Sequence, residues 1–479
     1  MSIPFKAPLI LAAIVLAAAS CPAQAQNNSG KGEIRKLYEE NCAGCHGADL
    51  AGGSGSSLID DEWIHGSSDE AIANAIRAGM PDMGMPGWEG VLDEKQIRAM
   101  VIFIHEVKRN SLQESLAQGL AGDVVSAAGH RYTLEQVGEG EGMLWSIAFL
   151  PDGSKLVTQR DGVLWHFGNG KRTEIEGIPD VWQHGQGGLL EVAPHPDFED
   201  NGWVYLSFSD HTGAEEKGKD AGMTKVVRGK IADGEWTSGE TLFELDGEHH
   251  TSSGAHFGSR FVFDDGYLYF SIGDRGRMDR SQDLGRPNGK IYRIHDDGRV
   301  PEDNPFVDTH GALPEIWSFG HRNPQGMDMD PATGLLWESE HGPRGGDEIN
   351  LVEKGKNYGW PVITYGMNYN GTPITEETHR EGMEQPKLHW TPSIAVAGID
   401  FYEGDAFAGW TGKLLAGGMA SEELHLLTIA NGEVTADEVI LKNRGRIRDV
   451  ASGPDGYIYL LVNSGSPRKG KILRMVPAR

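Results

Sequence analysis

Residues 259–276 read SRFVFDDGYLYFSIGDRG: an alternating apolar run, a turn at Asp264-Asp265-Gly266, and a second run rich in Tyr, Leu and Phe. A period of two turns one side of each run inward, and Asp-Gly between two such runs is a strong hairpin signal. The unit returns as SIAFLPDGSKLVTQRDG (146–162), EVAPHPDFEDNGWVYLSFSD (191–210), GMDMDPATGLLWESEHGP (326–343), GIDFYEGDAFAGWTGKLLAGG (398–418) and DVASGPDGYIYLLVNSG (449–465). Spread over residues 132–479, six copies have about 58 residues each, room for a four-stranded sheet and a long loop. A repeat that cannot bury its own apolar face must stack on its neighbours. The expectation is an all-β six-bladed β-propeller. Sandwich repeats are the alternative, but a closed ring accounts better for one fixed motif without long helices.

Upstream, residues 42–46 are Cys-Ala-Gly-Cys-His. Two thiols at this spacing reach the edge of a porphyrin while the adjacent histidine ligates its iron, so Cys42, Cys45 and His46 are expected to hold a c-type haem. A zinc site would usually need four ligands with more Cys or His at matched spacing. The segment SDEAIANAIRAGM has Ser68 as a helix cap, and a second amphipathic pattern carries Ile97, Val101 and Ile104. A small all-α cytochrome c domain is expected over 30–108, with a linker or connecting helix over 109–131 and the propeller from 132 to 479.

At the start of the chain, Lys6, the apolar run APLILAAIVLAAAS and the small residues Ala23 and Ala25 have the order of a secretory signal over 1–25. A lipoprotein processed at Cys21 is the alternative. Export leaves only Cys42 and Cys45 of three cysteines, so no disulfide is expected. Formal charge is −27, and loss of Lys6 with the leader makes it −28, which disfavours nucleic acid as a partner. A basic redox partner downstream or a neutral substrate fits this balance better, and no other apolar run approaches the roughly 20 residues of a membrane helix, so an exported, periplasmic product is expected.

Chemistry-bearing residues cluster near the repeat strands. His256, between Gly254 and Gly258, titrates near neutrality and suits a general base. Asp274, in SIGDRG, is placed to hold its imidazole in one tautomer. Arg322 and Asn323, in GHRNPQG, present a guanidinium and an amide to an oxygen that gathers charge. Gly342 and Pro343 offer carbonyls beside Asp347 and Glu348, the hard oxygen ligands that calcium takes. In an extended chain Arg444, Arg446 and Arg448 share one face and answer a ligand with several carboxylates.

With GQGGLLEVAPHPDF before them, these clusters resemble the soluble aldose (glucose/sorbosone) dehydrogenases that use pyrroloquinoline quinone (PQQ), a likeness covering nearly all of residues 133–479. The resemblance implies that His256 removes the proton of the sugar's C1 hydroxyl while a hydride passes to the quinone, and that Asp274 orients it. It further implies that Gln186, Arg322, Asn323, Arg446 and Arg448 contact PQQ, and that Gly342 and Pro343 ligate the cofactor's calcium. Asp347, Glu348 and Tyr358 fall near further calcium positions, and Trp390 falls where an aromatic meets substrate. Where the family often has a lysine pairing with PQQ, this chain has Ala420, and Arg444 is the expected substitute. The segment MPGWEGVLDEKQI resembles the distal loop of class I cytochromes c, which points to Met85 as the sixth iron ligand, with Met80, Met83, His65 and His105 as competitors.

The implied function is oxidation of an aldose, or a related sugar or alcohol, to its lactone or ketone, with PQQ, Ca²⁺ and haem c as cofactors and electrons passing to the fused haem. Two other readings remain: a non-catalytic propeller that binds carbohydrate or a partner, and a calcium-dependent lactonase.

Overall fold

The computed structural model describes residues 29–478 except 61, 121, 122, 212 and 467, with side chains undescribed at 29–32 and 112–120. The leader expected over 1–25, and Cys21 with it, lies outside the described residues. Helices α1 (Ser29–Asn41), α2 (Ala43–His46), α3 (Asp69–Ala78) and α4 (Glu94–Leu120) build the N-terminal domain. In α3 the Ser68 hydroxyl caps the Ala71 N–H, Asp69 and Glu70 face the positive end of the helix dipole, and Gly79 at φ +70° ends it. Ile72 and Ile76, four residues apart, bury against Ile97, Met100, Val101 and Ile104 of α4.

The rest forms six four-stranded antiparallel blades, the sixth extended by one more strand. Each quoted motif is the first hairpin of its blade: Phe261–Asp264 and Tyr267–Ile272 pair through Phe261↔Phe270 to Asp264↔Tyr267. Blade six begins with Arg446–Ser452, Ile458–Ser464 and Lys469–Pro477, and is completed from the other end of the propeller by His130–Glu139, with Tyr132 opposite Pro477. That pairing seals the ring. Separate apolar clusters fill the gaps between neighbouring blades, for example Leu144, Ile147 and Val157 of blade one against Tyr459, Leu461 and Ile472 of blade six. Closure explains the strict repeat, since every blade needs two neighbours to bury both faces.

The expected 109–131 connection is a helix continued into a strand. Between Glu94 and Leu120 there is no proline and the first glycine is Gly119, so nothing stops α4 before that point. Val124–Ala127 then pairs with His130–Glu139 as the outermost strand, which moves the start of the propeller back from 132 to 124. The axis of the ring is polar: Arg260 binds Glu191 at 2.8 Å and Asp449 at 2.9 Å, and its Nε donates to the Gln325 carbonyl at 2.7 Å. This hub joins inner strands of four blades.

Candidate active site

Beside the hub opens a cavity of about 270 Å³ lined by residues that include Trp145, Arg160, Gln186, His341, Arg446 and Arg448. Its wall is cationic although the chain is strongly acidic. Arg448 donates to Gln325 Oε1 at 2.7 Å, and its guanidinium lies 4.4 Å from the centre of the Trp145 ring. Burial and the neighbouring Arg260 push Arg448 down to about 9. Arg468 also lines the cavity. Desolvation lowers Arg160 and Arg446, and the charge of Arg468 adds to the effect on both.

His256 sits at the edge of this wall on strained backbone, with φ +54°. Its N–H donates to Gln186 Oε1 at 2.8 Å, and its Nδ1 lies 2.6 Å from Asp274 Oδ1. Asp274 is 1 % exposed, and its other oxygen accepts from the Trp360 indole at 2.8 Å. Nδ1 therefore carries the proton in the neutral ring and leaves Nε2 as the acceptor. Burial, and after it the Arg322 charge, hold His256 below the ordinary histidine range despite Asp274. Burial alone would raise Asp274, but the His256 and Arg322 charges outweigh it and keep the carboxylate low. Close packing explains the flanking glycines: a Cβ on Gly258 would lie 2.8 Å from the Ser271 carbonyl.

Arg322 donates to the His341 carbonyl at 2.8 Å, and its backbone N–H is held by Glu340 Oε2 at 2.6 Å. Asn323 Oδ1 accepts from Gly258 N–H and Gln325 Nε2, both at 3.2 Å. Among the described residues, the buried Nε atoms of Arg160, Arg322 and Arg448 and the Nε2 of His341 have no hydrogen-bond partner. Buried donors of this kind call for an acceptor, so the wall fits an anionic, oxygen-rich ligand such as a quinone with carboxylates.

Several expected residues are placed elsewhere. Arg444 precedes Gly445, whose φ of +107° breaks the alternation, so it leaves the face shared by Arg446 and Arg448. It lies close enough to Tyr132 to act on that hydroxyl and is not part of the cavity wall. Ala420 is exposed beside the wall residue Met419, so the additional cations there are Arg160 and Arg468. Trp390 is 3 % exposed, donates to Asp437 at 2.8 Å and packs between blades four and five, away from the cavity. Asp347 is engaged by the protein itself: its carboxylate accepts from Gly342 N–H at 2.9 Å, the Ser393 hydroxyl at 2.8 Å and Val396 N–H at 3.0 Å. These bonds brace the Gly342–Pro343 turn. Among the described residues, nothing donates to the Gly342 or Pro343 carbonyl.

Glu348 instead faces Glu340 across the sheet. Single ligand atoms of His321, Glu338 and Glu340 lie within 4.8 Å of one another, and Asn350 bridges Glu338 and Glu348 at 2.8 and 3.2 Å. The Tyr358 ring stacks on His321 at 4.5 Å. His341, whose pKa burial and then the Arg448 and Arg322 charges push well down, is a wall residue the motif reading missed. Its position directly before Gly342–Pro343 was the available signal. Arg160, at the end of the first repeat strand, was likewise visible.

In the small domain, a cavity is lined by Cys42, His46, Trp63, His65, Ile72, Ile76, Met80, Met85, Met100 and Ile104. His46 Nδ1 bonds the Ser56 carbonyl at 2.8 Å, which frees Nε2 for a metal. Cys42 and Cys45 are not in a disulfide. Met80 and Met85 pair backbone to backbone at 2.8 Å and both line the cavity, whereas Met83 is 58 % exposed. His105 is bound to Asp69 at 2.9 Å. Two thiols, a preset imidazole and thioethers on an apolar wall fit a c-type haem.

Two family models match the chain: Glucose / Sorbosone dehydrogenase over residues 142–474, and Cytochrome C oxidase, cbb3-type, subunit III over residues 31–104. The aldose sugar dehydrogenase YliI of Escherichia coli is 45 % identical over 342 residues, which cover 70 % of this chain and 90 % of that protein. A crystal structure of the Escherichia coli soluble aldose sugar dehydrogenase in its apo form superposes with a TM-score of 0.68 at 42 % identity, covering 72 % of this chain and all of that one. The PQQ-bound aldose sugar dehydrogenase of Streptomyces coelicolor superposes with a TM-score of 0.57 at 25 % identity, covering 72 % and 98 %. From residue 142 onward the motifs, the six blades and these relatives agree, and the chain belongs to the glucose/sorbosone dehydrogenase family.

Proposed function

We propose that the protein is a periplasmic quinohaemoprotein that oxidises an aldose, or a related sugar or alcohol, and passes the electrons to its own haem c. The observation that carries this is the His256–Asp274 pair, 2.6 Å apart, at the edge of a cationic wall with unpartnered donors. Arg446, Arg448, Arg160 and Arg468 would hold the carboxylates of PQQ, with Gln186, Arg322 and Asn323 near its other oxygens. Cys42, Cys45, His46 and Met85 would hold the haem. When bound, the quinone supplies a two-electron acceptor for the hydride leaving the sugar carbon, and the haem takes electrons one at a time. The chain's own part is proton handling and orientation. His256 Nε2 accepts the hydroxyl proton, Asp274 stabilises the resulting imidazolium, and Arg322 favours loss of that proton afterwards.

For calcium, the Gly342 and Pro343 carbonyls remain candidates at the wall. Glu348, with Glu338, Glu340 and His321, is the second place where hard ligands converge. No helix among the described residues is long and apolar enough to cross a membrane. Export to the periplasm rests on the leader-like N-terminus.

The test uses the full chain with haem attached, loaded with PQQ and Ca²⁺, while the haem absorption band is followed as aldoses are added. Sugar-dependent reduction, lost about 10²- to 10⁴-fold in His256→Ala, is expected. Reduction that needs neither PQQ nor His256 overturns the assignment.

A further inference from the structure

A flexible tether alone would bring the two domains together by raising their effective concentration. The structure has a built interface instead. Helix α4 lines the haem cavity with Met100 and Ile104, and it turns Arg98 and Glu106 toward the propeller. Glu106 grips Arg344 with both oxygens, at 2.7 and 2.6 Å, and the two side chains are 15 % and 8 % exposed. Arg344 follows Pro343 directly in the turn that reaches the cavity wall through His341. Arg98 donates to the Thr364 and Thr375 carbonyls of the long blade-four insert, residues 353–387.

That insert is shared between the domains. Met367, 2 % exposed, is buried in the cytochrome's apolar cluster with Met100 and Ile104. Its backbone exchanges two hydrogen bonds with Arg344, at 2.9 and 3.1 Å. Two residues further on, Tyr369 lines the propeller cavity. Gly366 packs so tightly on the turn that a Cβ there would sit 2.3 Å from the Gly345 carbonyl and 2.7 Å from the Pro343 ring.

We propose that the Glu106–Arg344 pair and the Met367 anchor form an electron-transfer dock, which fixes α4, one wall of the haem cavity, against the Gly342–Pro343 turn at the sugar-oxidising site. This rests on the redox reading above. Tunnelling rates fall exponentially with separation, so a fixed short approach outruns a swinging domain. A partly buried bidentate Arg–carboxylate pair supplies that fixation with defined geometry. Glu106 and Arg344 are positioning residues, and electrons balance through an external acceptor: two leave the sugar, the first reduces the ferric haem, and the second follows once a one-electron acceptor such as a downstream cytochrome has reoxidised it.

The test compares wild type with Glu106→Gln, Met367→Ser and the charge swap Glu106→Arg/Arg344→Glu, each as the full chain loaded with haem, PQQ and Ca²⁺. After a glucose pulse, stopped-flow haem reduction is expected to slow at least tenfold in Glu106→Gln and Met367→Ser, and to recover in the swap. Turnover of Glu106→Gln with a soluble dye that takes electrons at the propeller stays at the wild-type rate. Hydrogen exchange rises in residues 98–106 and 364–375 of both single variants, a readout independent of turnover. Wild-type haem reduction in Glu106→Gln and Met367→Ser, with unchanged exchange, overturns the dock alone. A wild-type haem that neither glucose nor any other aldose reduces overturns the redox reading and the dock with it.

Discussion

His256 shows how one residue's surroundings set its chemistry. A catalytic base must be neutral to accept a proton, and burial and Arg322 depress this imidazole, so the base form persists into mildly acid solution. The acid limb of the kcat/KM profile is therefore expected below the ordinary histidine value of about 6.5. Arg322→Ala removes a depressing charge and moves that limb to higher pH; a limb that stays in place removes Arg322 from the electrostatics of the base. That His256, Asp274, Arg446 and Arg448 gather at or beside one cavity was legible because each lies in a short motif in or near a repeat strand. Trp390 and Asp347 were not, because a motif gives a position in the chain but not which side of a strand faces the cavity. Trp390 points between blades, and Asp347 spends its carboxylate on three local donors. Arg444 failed for a local reason, the left-handed Gly445 that ends the alternation.

Elements carry two further consequences. Between the second and third strands of blade four, Glu338, Glu340 and Glu348 share a face with His321 and Asn350, and a divalent ion there stabilises only the folded state. Added Ca²⁺ is expected to raise Tm in the wild type and to do so far less in Glu348→Gln; equal gains in both remove this cluster as a site. About one turn along α4 from Glu106, Arg109 meets Glu423 at 2.9 Å, Lys442 meets the same carboxylate at 2.6 Å, and His425 lies 2.6 Å from Asp437. Glu423 and Asp437 are held low against burial by their cationic partners, so their contribution exists above the unfolded carboxylate range and fades as pH falls. His425 is held high against burial by Asp437 and Glu423, so its contribution is complete below about 6.5 and fades as pH rises through its raised folded value. Protection of blade-five amides, taken as the intrinsic exchange rate at each pH divided by the observed rate, is thus expected to be greatest in mildly acidic solution and to fall toward both extremes. Glu423→Gln should flatten the acid side. The helix itself was half legible, since residues 109–118 hold no glycine or proline yet carry too weak a pattern to separate a connecting helix from a loop.

For the whole molecule, the ring was the most legible feature, because one hairpin motif repeated six times leaves few ways to bury every blade. The seam was not legible. Nothing in HRYTLEQVGE announces that it completes a blade begun more than 300 residues later, because edge pairing depends on backbone and not on a motif. Ile472, fully buried where blade six meets blade one, tests how far closure carries stability. Ile472→Ala is expected to cost about 2–5 kcal/mol in denaturant unfolding, the range for emptying a packed core position. A loss under about 1 kcal/mol shows that the junction relaxes around the cavity.

Helix α4 runs to Leu120 and the outermost strand of the sealing sheet begins at Val124, and this makes the helix a spacer with a phase. Each residue inserted after Arg109 turns everything upstream by about 100° and shifts it about 1.5 Å along the axis. One extra alanine therefore swings the cytochrome off its seat. Seven bring it back to nearly the original heading but about 10 Å farther out. Any cytochrome grafted onto this propeller has to match its host in helical register as well as in reduction potential.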